Sequence, residues 1–600
     1  MRWNLQSARR CLLRAIGISL LLLGSASSFP AQAQSPPTVS PKDGYVGSQA
    51  CSRCHLEIYK HFTQTSMGRS MTAASVVNLK GAPSSATYLN ERLNRKFEVY
   101  TKGDALYQSE TGLSTDGTEL FRSEHPVEWI IGAGDNGFGT ILRKDDFLFQ
   151  APLSFYAKPA SWAPSPGYEY ADVGFNRPIL PGCIFCHSGR PNAIPDGSGK
   201  FESTPFAELA IGCEKCHGPG AAHIQSMSAG ASTAKQKGAS KKLESRIVNP
   251  ARLTPYLSDN ICMACHQTGD VRVLKPGKTF QDVRPGKPLD EWLTILMVPP
   301  TRAEPPTEDH VEHYYSMSLS KCYRASEGKM SCITCHDPHV QPSREEAPAY
   351  FAAKCMTCHT NQSCKLNIEA RMQTKPANNC IGCHMPKRDI PTISHSSATN
   401  HRIVARPGEP FPDVTFQQTT AALPDLIRIN PPTQNTQTQL DNPLPLLTLL
   451  QAYGELSESR PTYAEAYLKV LGQLEKTQPD QPLVQAALGH RSMKTGDFQA
   501  AVDHYRRSLE LGPPVETTYI GLAEALTHLG QMEAALPLID KAIALNPFNP
   551  VTRKMIIVQL IQSKQYARAR EALTSYTQVF PQDDFMRQML ARVSGTTPTK

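Results

Sequence analysis

Seven times in this 600-residue chain, two cysteines stand three apart with a histidine directly after the second. The sets are Cys51, Cys54 and His55; Cys183, Cys186 and His187; Cys213, Cys216 and His217; Cys262, Cys265 and His266; Cys332, Cys335 and His336; Cys355, Cys358 and His359; and Cys380, Cys383 and His384. Composition alone would supply roughly 0.01 such pentapeptides, so the spacing is a built feature. Two thiols at this separation reach the two vinyl groups of one porphyrin and close two thioether bonds. The adjacent imidazole then falls beneath the iron as its proximal ligand. The chemistry expected is covalent attachment of seven haem c groups, each bringing one iron. Zinc ribbons also use Cys-x-x-Cys pairs, but nothing in zinc chemistry requires a histidine after every pair. A thiol–disulfide redox site needs only one such pair in a βαβ setting.

Eight further histidines stand between the first motif and the end of the motif-bearing region: His61, His125, His223, His310, His313, His339, His395 and His401. Imidazole is a strong haem ligand, so these are the candidate distal ligands, and their number nearly matches the need of seven irons. His339, in CITCHDPH, is too close to His336 to face the same iron and is expected to serve another motif; His223, in CEKCHGPGAAH, is placed in the same way. Met67 and Met385 are alternative axial groups, although methionine at such places commonly packs. Cys322 and Cys364 are the remaining cysteines after the leader. They either pair as a disulfide bracketing the fifth and sixth motifs or stay free thiols.

Attachment of this kind belongs outside the cytoplasm, and the N-terminus agrees. MRWNLQSARRCLLR carries four arginines and no acid, AIGISLLLLG is a short apolar run, and Ala31-Gln32-Ala33 is a small-x-small site. This reads as a Sec-type signal peptide over residues 1–33, cleaved after Ala33, and places the protein in the periplasm or an equivalent exported compartment. Cys11 leaves with the peptide. No later segment reaches about 18 uninterrupted apolar residues, so no transmembrane segment is expected in the mature chain. The formal charge of +8 falls by the four leader arginines. Seven ferric haems with ionised propionates would take the rest to about −3. The basic balance therefore reads as propionate compensation, and no nucleic-acid partner is expected.

The elements that must position these residues fall into two domains. Hydrophobic content of 40% with 19% charged residues fits a globular chain too long for one core. After a linker over residues 34–44, the seven-haem domain spans 45–406. Within it residues 70–178 hold no motif, and stretches such as KFEVYTK and DDFLFQ alternate apolar and polar side chains, which predicts a β-rich insert. The Gly-, Ala-, Ser- and Lys-rich text from Gly218 to Ser245 predicts a mobile loop. Residues 407–445 are Pro-, Thr-, Asn- and Gln-rich and read as an interdomain linker. Beyond it, Pro479, Pro513, Pro547 and Pro581 recur every 34 residues, as do Ala501, Ala535 and Ala569, and Gly496 with Gly530. Thirty-four is the length of the tetratricopeptide (TPR) unit, so 446–600 is expected to be an all-α TPR solenoid. Such an array either docks a protein partner on its concave face or caps the haem domain. The fold class expected is mainly α: a haem-packed domain with a β-rich insert, then the solenoid.

The motif context resembles a known superfamily. YVGSQACSRCHLEIYKHF resembles the first-haem signature of the tetrahaem electron carriers of hydroxylamine oxidation. CEKCHGPGAAH, CITCHDPH and CIGCHMP resemble elements shared with hydroxylamine oxidoreductases and pentahaem nitrite reductases. The order of signal, haems, linker and TPR is similar to a group of bacterial multihaem c-type cytochromes. The resemblance implies mostly helical haem packing, periplasmic electron transfer and largely bis-histidine irons, with His395 and His401 of ISHSSATNHRI as late distal ligands. It does not extend to enzyme activity, because neither a CxxCK attachment nor an eighth haem motif is present. The reading favours an electron carrier between redox partner proteins over a catalyst. The alternative is a multihaem oxidoreductase in which one iron keeps an open position for a small nitrogen or sulfur compound.

Overall fold

The computed structural model describes residues 43–169, 171, 173–230, 247–306, 312–389, 397–416, 426–432 and 443–594. The signal peptide, most of the first linker, His310 and His395 lie outside the described residues. Among those described, no helix is long and apolar enough to cross a membrane.

Eleven strands follow the first motif: β1 (Met71–Ala73), β2 (Ala86–Asn90), β3 (Arg95–Lys102), β4 (Ala105–Leu113), β5 (Glu119–Val127), β6 (Trp129–Ile131), β7 (Gly137–Lys144), β8 (Phe147–Gln150), β9 (Leu153–Tyr156), β10 (Ser161–Pro164) and β11 (Arg177–Pro178). Strands β2 to β5 form an antiparallel meander in sequence order, and the others form a second sheet with β7 at its centre. The alternation read in KFEVYTK becomes an alternation of burial: Phe97 and Val99 point into the core while Lys96 and Glu98 do not. Phe138, Phe155 and Trp162 pack with these residues into one core between the sheets.

Beyond the insert, a hairpin of β12 (Arg190–Ala193) and β13 (Phe201–Glu208) separates the second and third motifs. A later sheet joins β14 (Val271–Leu274), β15 (Leu293–Met297) and β18 (Ile427–Arg428). Strands β16 (Lys387–Asp389) and β17 (Ser397–Thr399) pair beyond the seventh motif. The first three-quarters of the chain thus carries more strand than a mainly α reading allows; the C-terminal region is the all-helical part. Two further expectations are corrected. Residues Ala221–Gly230, in the stretch read as a mobile loop, form a helix. Part of the stretch read as a linker is ordered: β18 completes a sheet, and Thr415 is fully buried.

From Leu446 to Val593, nine helices run as consecutive antiparallel hairpins. Pro479, Pro513, Pro547 and Pro581 each stand two residues beyond a helix end, where a residue without N–H stops propagation. Where two helices cross, a Cβ on Gly489 or Gly521 would meet the Tyr505 ring at 2.8 and 2.5 Å, so only glycine lets the three elements close. The solenoid is fixed to the rest at both ends. Leu450, Tyr453 and Leu456 of its first helix share a core with Val271, Val273 and Leu296. At the other end Phe548 is buried among Leu142, Phe147, Phe149 and Phe175 of the insert.

Candidate functional site

Each motif sits on a short helical turn or at a helix end: Ser48–Cys51, Pro181–Phe185, Cys213–His217, Pro255–His266, Cys332–Cys335, Ala347–Cys355 and Cys380–His384. One turn suffices to bring residues i, i+3 and i+4 to one face. The bonds that set it are visible in the amide of His55 on the Cys51 carbonyl (2.9 Å), of His336 on Cys332 (3.0 Å) and of His359 on Cys355 (2.9 Å). All sixteen described cysteines are free. The Cys322–Cys364 disulfide is therefore not formed; Cys322 instead lies within electrostatic reach of Cys335, Cys355 and Cys358.

The cysteines bring the motifs together in an order the sequence does not follow. Cys51 of the first motif lies beside Cys213 of the third, Cys186 of the second beside Cys265 of the fourth, and Cys262 of the fourth beside Cys332 of the fifth, each close enough to shift its neighbour's titration. In each such pair the partner sulfur, and then burial, pushes one thiol (Cys51, Cys265, Cys332) far above its usual range. Cys216 of the third motif feels Cys262 of the fourth, and Cys355 of the sixth feels Cys335 of the fifth and Cys380 of the seventh. The motifs therefore run first, third, fourth, fifth, sixth, seventh, with the second branching from the fourth.

A continuous cavity of about 2230 Å³ follows this line and is walled by Cys186, Cys216, Cys265, His266, Cys332, His336, Cys358, His359, Met67 and Met385, among others. It is at least twice the upper end of an ordinary ligand pocket.

His266, His313, His336, His359 and His401 line it, and the motif histidines stand close to others. The ring centres of His217 and His339 lie 6.1 Å apart with planes 18° from parallel, and those of His336 and His401 lie 6.2 Å apart at 33°. Two imidazoles on opposite sides of one metal, with metal–nitrogen bonds of about 2 Å, place their centres about 6 Å apart. His266 and His313 are closer, 5.4 Å, and His313 touches His401 at 4.4 Å. His339, three residues after His336, thus stands beside the histidine of the third motif. His223 shares that neighbourhood, within electrostatic reach of His217.

Hydrogen bonds fix the ring nitrogens. Nδ1–H of His217 donates to the Val248 carbonyl (2.7 Å), that of His384 to Val404 (2.7 Å), that of His401 to Thr399 (2.9 Å), and that of His339 to the Asp337 carboxylate (3.1 Å). In the neutral imidazole each such bond leaves the Nε2 lone pair available to a metal. Nδ1 of His223 is buried with no hydrogen-bond partner. Burial pushes His187, His217, His266 and His336 below the usual imidazole range, His313 to about 3 and His401 to about 4. They are neutral at pH 7, the form that ligates. Among the described residues no three His, Cys, Asp or Glu side chains converge as a metal-binding cluster. The arrangement is one of facing ring pairs beside thiol pairs, and it fits an iron porphyrin held by two thioethers and two imidazoles.

Not every candidate belongs to it. His125 lies on β5 with its ring against Phe175 (4.6 Å) and its Nε2 on Ser123 (3.2 Å), beside Phe548 of the solenoid. It packs a domain seam. His61 is exposed on the helix Leu56–Phe62. The sequence reading missed Glu214, whose buried carboxylate accepts from the amides of Val46 (3.0 Å), Gly47 (2.7 Å) and Gly220 (2.7 Å) and so clamps the first motif to the third. Its signal was an acid inside an attachment motif, where none is needed for attachment.

Comparison with known proteins identifies the C-terminal part. The family model of the tetratricopeptide repeat matches residues 517–549. Among solved structures, YrrB, a TPR protein with an unusual peptide-binding site, is 16% identical, with 27% of this chain covering 81% of it at a TM-score of 0.23. The MamA protein is 17% identical, with coverages of 25% and 84% and a TM-score of 0.22. The OM64 TPR domain of Arabidopsis is 18% identical, with coverages of 19% and 94% and a TM-score of 0.18. No curated protein matches this chain. The C-terminal region is a TPR solenoid, a fold that suggests protein–protein interaction.

Proposed function

We propose that this chain is an exported multihaem c-type cytochrome that transfers electrons between redox partner proteins, with its TPR solenoid docking a protein partner. The observation that carries the reading is the facing of His217 with His339 and of His336 with His401 at the spacing a shared metal requires, each pair joining a motif histidine to one outside the motifs. Iron porphyrin supplies reversible one-electron exchange at a potential set by its ligands and surroundings.

The protein's own residues do the rest. The cysteines of each motif would hold the group covalently, and His55, His187, His217, His266, His336, His359 and His384 would serve as proximal ligands. Val248, Val404 and Thr399 carbonyls hold the imidazole tautomer that presents Nε2. The Phe351 ring, 5.3 Å from that of His336, gives the second pair an apolar wall. Close tethering of successive motifs, down to neighbouring sulfurs, supports a continuous path. The periplasm is the compartment proposed, on the leader and the covalent chemistry.

The test is a pyridine haemochrome assay with intact mass, followed by spin-state-resolved spectra of the holoprotein from cells competent in cytochrome maturation. Seven haems and an all-low-spin ferric spectrum are expected. A high-spin, ligand-binding component would assign the oxidoreductase reading instead, and a colourless protein with free or zinc-bound thiols would overturn both.

A further inference from the structure

Leaving aside the branch to the second motif, the main line of motifs has two ends, and they differ in charge. Around the first motif, residues 43–62 hold Asp43, Arg53, Glu57 and Lys60, two of each sign. Around the sixth and seventh, residues 354–389 hold six lysines and arginines against Glu369 and Asp389. Lys365, Lys375 and Lys387 are exposed there. The same surface shows apolar side chains: Leu366 is 51%, Ile368 48% and Met372 55% accessible.

This surface is anchored to the terminal motifs. Ile368 and Met372 stand four apart on the helix Ile368–Met372, so they share a face. Arg371 of that helix is buried and reaches both ways, donating from Nη2 to Asn361 Oδ1 (2.8 Å) beyond the sixth motif and from Nη1 to Asn378 Oδ1 (3.3 Å) before the seventh. Cys358 and Cys383 of those motifs are themselves exposed. Exposed apolar side chains and exposed lysines thus alternate along the stretch that joins and follows the sixth and seventh motifs, the residue types of a transient interface with apolar contacts and a charged rim.

We infer that the face carrying Ile368, Met372, Lys365, Lys375 and Lys387 is the docking surface for an acidic electron-transfer protein, which exchanges electrons at the sixth and seventh motifs. The inference rests on the cytochrome reading above. Charge complementarity selects the partner: a rim of this sign accelerates encounter with a negatively charged protein and slows it as salt rises. A protein is favoured over an anionic membrane because the apolar area is one helix face of two residues, small for insertion and suited to a matching patch.

The experiment uses purified holoprotein whose haem content has been measured, and flavodoxin hydroquinone as the acidic reductant, in stopped flow from about 0.01 to 1 M salt, over which the screening length falls from about 30 to 3 Å. The Lys365→Glu, Lys375→Glu, Lys387→Glu variant is expected to be reduced at least about tenfold more slowly at low salt and to converge with wild type at high salt. The Gln variant at the same positions should fall between. Lys60→Glu, at the other end, and reduction by a neutral hydroquinone should be unchanged. Full haem content with rates within about twofold of wild type would overturn this surface alone, whereas a wild-type protein without haem would overturn the cytochrome reading and the surface with it. Co-sedimentation with phosphatidylglycerol vesicles, lost in the Glu variant while flavodoxin rates stay constant, would assign the patch to a membrane and overturn the inference.

Discussion

The backbone amide of Gly47 donates to the carboxylate of Glu214 across 167 positions of sequence, at 2.7 Å. Glu214 is 4% exposed and also takes the amides of Val46 and Gly220. Beside it the Ser48 hydroxyl accepts from the Cys213 amide (2.8 Å), and the Ser48 amide donates to Glu208 (3.0 Å). The proximity of Cys51 to Cys213 is therefore imposed by a hydrogen-bonded clamp rather than by the thiols themselves.

Glu214→Ala would strand three donors in a buried site. The expected cost is about 3 kcal/mol, since bonds to a charged acceptor are worth about 1.5–3 kcal/mol each and unmet buried donors add to the loss. Thermal melting followed by far-UV circular dichroism reads the cost, and limited proteolysis is expected to open the chain near residue 45. Unchanged melting and cleavage would remove the clamp from the account.

His401→Ala and His339→Ala are each expected to leave seven thioether-bound haems by mass and to convert one low-spin iron to high spin, because the thioethers and the imidazole supply independent bonds. His125→Ala, whose ring lies at the domain seam, is expected to leave the spin state untouched. Electron paramagnetic resonance of the three variants decides it, and a high-spin signal from the His125 variant would restore that residue to the ligand set.

Acid is expected to loosen the seam at His125. Burial, and then the nearby Lys144 charge, hold its folded value at about 4, against 6.5 when exposed. Between those values the unfolded chain binds the extra proton, so this contribution is complete above pH 6.5 and is lost as pH falls toward 4. The melting temperature of the holoprotein should drop across that window, and His125→Phe, which keeps the ring against Phe175, should lack that part of the drop.

Phe548→Ala should separate the solenoid from the insert. Phe548 is 6% exposed and meets Phe149 at 4.9 Å and Phe147 at 5.6 Å, with the Lys144 ammonium 4.6 Å from its ring. Truncating a buried phenylalanine costs about 3–5 kcal/mol. Calorimetry is expected to resolve an earlier transition for the C-terminal helices; a single unshifted transition would show that the seam does not couple them.

The chain announces what depends on near neighbours. Cysteines three apart with a following histidine come to one face because a single helical turn brings them there. The recurrence of Pro479, Pro513, Pro547 and Pro581 specifies helical hairpins because proline ends each second helix wherever it stands. Alternation in KFEVYTK specifies a strand because the pleat turns successive side chains to opposite faces. Tertiary structure alone decided that the motif histidine beside His339 is His217, that the motif order departs from chain order, and that His125 and Phe548 close a seam between two domains. Those relationships join residues tens to hundreds of positions apart. They are fixed by which buried polar groups and apolar faces satisfy one another on folding, and linear spacing carries no record of that.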